Sequence, residues 1–194
     1  MRNKVILLWA FFQIPWLGTG EWVFDIGIEM LKHLVVPDVI PVPPHEMCLV
    51  YYPKNNITPD VYIFNKDLTQ DPPIVQWDAD PKSYYTLILT NPDVPNRTYA
   101  VLKEYHLWLV GNIPGNKIEW GEVLTEYKNT DWAQDRSFRR NIFLIYKQQG
   151  KISFKHWIKR TVKVGLRSGF NTYDFARQYK LGDPLFGNFY FHRW

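Results

Sequence analysis

The chain has 194 residues, 46% hydrophobic and 17% aromatic, which supplies one full core and excludes an intrinsically disordered chain. Its formal net charge of +4 comes with no recognised nucleic-acid module, so no nucleic-acid partner is expected. A single cysteine, Cys48, excludes an internal disulfide and any cysteine-built zinc site; no metal or cofactor is expected.

Residues 1–20 differ from everything after them. Arg2 and Lys4 precede the apolar run Val5–Phe12, Gln13 and Pro15 interrupt it, and Gly18 and Gly20 offer small residues for cleavage. That layout predicts a signal peptide over 1–20, followed by one domain over 21–194. The run is shorter than the roughly twenty residues a membrane span needs. The other reading is an N-terminal helix packed on the domain. Cleavage makes the protein secreted, and lowers its formal charge by two from +4; an uncleaved leader leaves it cytoplasmic. The acceptor triplets at Asn56 (Asn56-Ile57-Thr58) and Asn96 (Asn96-Arg97-Thr98) agree with a secreted glycoprotein, although Pro59 weakens the first.

Val23, Ile26, Met30, Leu31 and Leu34 recur at helical spacing, so a short helix is expected over Trp22–His33, stopped by Pro37. Val35–Pro44 is extended and proline-rich. Cys48–Tyr52 and Asp60–Phe64 read as strands around a turn at Pro53–Asn56, which makes Cys48 a buried, inert thiol. Pro73–Trp77 is a further strand. Tyr84–Thr90, Tyr105–Val110 and Ile142–Lys147 are the most apolar strands and the expected centre. A late helix is predicted over Phe170–Tyr179, with Asn171 as cap and Asp174 in its first turn. Many short strands with proline and glycine corners predict a mainly β, antiparallel sandwich with a few short helices.

Three motifs carry more than fold. They are Asn91-Pro92-Asp93-Val94-Pro95-Asn96-Arg97, Leu109-Val110 followed by Asn112-Ile113-Pro114-Gly115-Asn116, and Gly121-Glu122-Val123-Leu124. With them the chain resembles the phosphatidylethanolamine-binding protein family, the Raf kinase inhibitor and flowering-time group. Val36-Pro37-Asp38-Val39-Ile40 resembles the start of its secreted, insect-type members. The resemblance implies a Greek-key sandwich, a cis bond at Val94–Pro95, and a pocket that takes a phospholipid headgroup or small anion.

The resemblance also assigns the pocket residue by residue. Asn91 stands where the family opens its corner motif with aspartate, and Asp93 keeps the second acid. Strand alternation sets Tyr105, Leu107 and Leu109 on one face, and His106, Trp108 and Val110 on the other. Tyr105 and Leu107 then occupy the family's inward aromatic and histidine positions, and His106 faces away as a structural residue. Matching residues 126–146 without gaps puts Trp132 and Ala133 at paired prolines. It also puts Arg139-Arg140-Asn141 at the family's His-Arg-Tyr, so Arg139 and Asn141 look inward and Arg140 makes a structural ion pair. Tyr190 matches an aromatic near the pocket mouth.

The expected ligand-binding set is therefore Asn91, Asp93, Tyr105, Leu107, Trp132, Arg139, Asn141 and Tyr190. It exchanges a carboxylate and titratable imidazoles for an amide, an aliphatic chain and a permanent cation. Two readings stand open: an anion site built on Arg139, or a pocket filled by Leu107 and Trp132.

No acidic residue lies between Lys147 and Tyr173, and Lys151, Lys155, Lys159, Lys163 and Arg167 recur every fourth position. As a helix this stripe suits an anionic membrane surface, but Thr161, Val162, Val164 and Gly165 oppose a helix, and a solvated basic face is the plainer reading. The chain lacks Gly-x-Ser-x-Gly, His-Glu-x-x-His and phosphate-loop motifs. A non-enzymatic, monomeric lipid- or anion-binding protein is expected. The alternative is a pocket-closed interaction protein, of protease- or kinase-inhibitor type, that meets a protein or anionic membrane.

Overall fold

The computed structural model describes residues 25–57, 62–64, 70–129, 137–155, 157 and 167–193. The expected leader lies outside them, as do Trp132, Lys159 and Lys163. The elements in order are α1 (Ile26–Lys32), β1 (Glu46–Met47), β2 (Leu49–Tyr52), β3 (Asn55–Ile57), β4 (Tyr62–Phe64), β5 (Ile74–Gln76), β6 (Tyr84–Asn91), β7 (Tyr105–Pro114), a 3₁₀ turn (Ile118–Trp120), β8 (Glu122–Thr125), β9 (Arg139–Gln148), α2 (Thr172–Gln178) and β10 (Phe186–Arg193).

Strands β6, β7 and β9 are buried along nearly their whole length, because both faces of their sheet are covered. That is why they read as continuous apolar runs. The large sheet runs β1-β10-β9-β6-β7-β8, with β4 also paired to β10; a second sheet runs β3-β2-β5. The path β9-β6-β7-β8 is a Greek key, since β6, β7 and β8 follow as antiparallel neighbours and β9 returns beside β6. The central ladders are antiparallel, as expected. At the far edge β1 and β4 join β10 in parallel. They lie far from β10 in sequence, so no hairpin forces them into the antiparallel sense.

One face of the large sheet packs on the small sheet. Tyr85, Leu87, Leu89, Phe143, Ile145 and Tyr190 meet Val50, Tyr52, Ile57 and Val75 there. The other face is covered by α1, the chain after it, and α2, with Ile88, Leu109, Ile142 and Leu144 against Met30, Val35, Ile40 and Phe175. Asp25 caps α1 by accepting from the Gly27 and Ile28 amides, and Asn171 caps α2 by accepting from the Asp174 amide at 2.8 Å. Cys48 is buried, which holds its thiol neutral and far above the usual range.

Candidate functional site

Extended geometry at Asn91 and the proline-stiffened corner after it bring β6 to an end beside β9. The Val94–Pro95 bond is cis, as the resemblance implies. Asn91 Oδ1 accepts from the Asp93 amide at 2.8 Å, closing the corner, and its Nδ2 donates to Asn141 Oδ1 at 3.1 Å. Alternation along β9 turns Asn141 toward the small sheet with Phe143 and Ile145, and Tyr190 is its cross-strand partner on β10. The Asn141 Nδ2 donor is buried and finds no hydrogen-bond partner among the described residues.

Arg139 is 1% exposed, and its Nε donates to the Pro95 carbonyl at 2.7 Å. Tyr190 and Tyr52 hydroxyls lie 3.3 Å apart, and Tyr52 is 3.1 Å from the Tyr127 hydroxyl. Burial pushes the Tyr52 and Tyr190 phenols well up, so both stay protonated and able to donate. Leu107 is buried in the same cluster as Tyr190, and Tyr105 packs half-buried at its margin.

The structure thus gathers Asn91, Asn141, Tyr190 and Leu107 on one face, with Arg139 at the start of β9. Asp93 goes elsewhere. Its carboxylate accepts from Arg140 Nε at 2.9 Å, Arg140 Nη2 at 2.6 Å and the Arg140 amide at 2.8 Å. Arg140 also donates to Asp38 at 2.6 Å and to the Leu34 carbonyl at 2.7 Å. Asp93 therefore joins the corner to α1 through the ion pair expected of Arg140, and its oxygens are engaged there rather than with Asn141.

The expected alternation of β7 needs correction. Leu89 pairs with Trp108 and Thr90 with His106, which leaves Leu107 as an extra residue in a bulge. Leu107, Trp108 and Val110 all face the small sheet, whereas Leu109 faces the helices. His106 still points away from Asn141 and Tyr190, against Trp157 and Phe170. Burial first, and then the nearby Arg167 cation, push its pKa down to about 4.

No protein-family model matches the chain. A Drosophila melanogaster protein provisionally named odorant-binding protein A5 is 29% identical over 160 residues, 82% of this chain and 76% of that protein. A 26 kDa secreted antigen of Toxocara canis is 37% identical over 118 residues; the match spans 61% of this chain and 45% of the antigen. The fold superposes on a phosphatidylethanolamine-binding protein from Plasmodium vivax with a TM-score of 0.64 and 16% identity, over 88% of this chain and 97% of that one. The chain has the fold of a phosphatidylethanolamine-binding protein.

With that fold, it presents an amide, an aliphatic chain and a guanidinium, at Asn91, Leu107 and Arg139, where motif matching puts the family's acid and imidazoles. Tyr52 and Tyr127 were missed from sequence. They come from the small sheet and from the chain after β8, and only the packing of the two sheets brings their hydroxyls to Tyr190. Among the described residues, no cluster of His, Cys, Asp and Glu is arranged to hold a metal, and no helix is long and apolar enough to cross a membrane. Asn141 Nδ2, the Arg139 guanidinium and the Tyr52 and Tyr190 hydroxyls make this cluster rich in donors, which is chemistry suited to an anionic guest.

Proposed function

We propose that this is a secreted, non-enzymatic binding protein that takes a phosphodiester or carboxylate, such as a phospholipid headgroup, between Asn91, Arg139, Asn141 and Tyr190. The observation that carries the reading is the buried Asn141 Nδ2 donor without a protein acceptor. Such an atom costs about 1–3 kcal/mol unless something satisfies it. An anion oxygen would do so, beside a buried cation at Arg139. The relatives named for odorant binding and for secretion support a secreted small-ligand binder.

Titration with glycerophosphorylethanolamine, whose phosphodiester charge is fixed, tests this. Amide shifts should concentrate at Asn91, Arg139 and Asn141. Arg139→Gln should weaken binding by about 10–100-fold, the loss of one charge-assisted hydrogen bond. Affinity should be flat from pH 5 to 8, because the site holds no histidine switch. Shifts that avoid these residues would discard the reading.

The second reading is a surface interaction through the basic stripe. Lys151 and Lys155 are exposed, which favours it. Arg167 counts against it, because one guanidinium nitrogen donates to the Leu107 carbonyl at 3.1 Å and the other to the Glu126 carbonyl at 2.9 Å. Arg167 is then a strut between β7 and the chain after β8. Sedimentation with phosphatidylserine vesicles should not exceed that with neutral vesicles at about 0.15 M salt. A salt-sensitive excess would instead make the stripe a membrane surface.

A further inference from the structure

A cleft of about 680 Å³ opens between β5 of the small sheet and the β7–β8 edge of the large one. Its lining contains none of Asn91, Arg139, Asn141 and Tyr190. Its floor is Trp108, only 6% exposed, with Val110 behind it. Trp108 is there because of the bulge. Uninterrupted alternation would send the indole to the helical side with His106, and the extra residue at Leu107 re-aims it toward β5.

One wall is closely packed. A Cβ on Gly121 would lie 2.5 Å from Val110 Cγ1 and 2.8 Å from Ile113 Cγ1, so the 3₁₀ turn sits directly on β7 and holds Ile118 as one side of the cleft. The Tyr127 ring, edge-on to Trp108 at 5.8 Å, closes the inner end. At the lips two apolar side chains face water: Ile74 is 62% exposed and Val123 54%. A preformed apolar concavity of about 300–1,000 Å³ with a few polar groups at its mouth is the usual form of a small-molecule site.

Charge at the mouth narrows the guest. Glu119 and Glu126 place two carboxylates on the lining, against one ammonium, Lys117, which sits 4.3 Å over the Trp120 ring. An anionic head would meet net repulsion there; a neutral or cationic one would not. We infer that this cleft is a second binding site, for a small aromatic or aliphatic molecule with an uncharged or cationic polar end. Its charge preference is opposite to that proposed for the Asn141 site. Tyr127 joins the two, since its ring lines the cleft while its hydroxyl reaches Tyr52 and through it Tyr190.

N-phenyl-1-naphthylamine and 8-anilino-1-naphthalenesulfonate share one aromatic frame and differ in a sulfonate. With the full chain, the neutral dye should bind with fluorescence enhancement and tryptophan quenching, at least tenfold tighter than the sulfonate. Ile74→Glu and Val123→Glu, both at exposed positions, should each weaken the neutral dye by tenfold or more, with circular dichroism and thermal midpoint unchanged. Excess glycerophosphorylethanolamine should leave the dye bound, whether or not the phosphodiester itself binds. The inference is overturned if the neutral dye fails to bind, if the sulfonate binds equally well, if neither lip substitution matters, or if the phosphodiester displaces the dye.

Discussion

Arg140 and Asp93 are both almost wholly buried, and each satisfies the other with three hydrogen bonds. Removing one member strands the other charge away from water. Asp93→Ala should therefore cost about 3–5 kcal/mol in urea unfolding, far more than an exposed ion pair would. His106 offers a pH signature. Both its ring nitrogens are buried without hydrogen-bond partners among the described residues, and its folded pKa is about 4. The unfolded chain, titrating near 6.5, takes up a proton that the folded one refuses, so stability should fall as pH drops from about 6.5 to 4. His106→Phe should flatten that slope and raise the urea midpoint at pH 5 relative to pH 7.5. Glu104, whose carboxyl is raised by burial, acts with the opposite sign and is common to both proteins.

At the level of elements, β7 carries most of the information. Its inner turn of sheet is crowded: a Cβ on Gly111 would lie 2.3 Å from Phe154 Cε2, whereas one on Gly150 meets nothing within 4 Å. Gly111→Ala should cost about 1–3 kcal/mol by overpacking. Gly150→Ala should stay within about 0.5 kcal/mol, with denaturant midpoints as the comparison. The same strand shows how far pattern reading reaches. Its apolar character and the outward aim of His106 were legible from Tyr105–Val110. The side of Trp108 was not, because one extra residue opposite Leu89 and Thr90 reverses the alternation, and the bulge exists only in the pairing with β6.

For the whole molecule, the large sheet is a shared wall. Helices and the chain after α1 cover one face, the small sheet covers the other, and Asn141, Tyr190 and the cleft all lie on the small-sheet side. Local chemistry by itself determined the strand-and-corner organisation, the helix cap at Asn171, the Asn91–Pro95 corner and the buried character of Cys48. Period-two patterning, proline's fixed φ and short polar side chains all act over a few residues. Only the tertiary structure decided that Asp93 pairs with Arg140, which also holds Asp38, rather than with Asn141, and that Tyr52 and Tyr127 continue the Tyr190 hydroxyl chain. It also decided that Ile74 and Val123 form two lips of one cleft. Those partners are 47 or more residues apart, and their meeting is set by the register and stacking of two sheets.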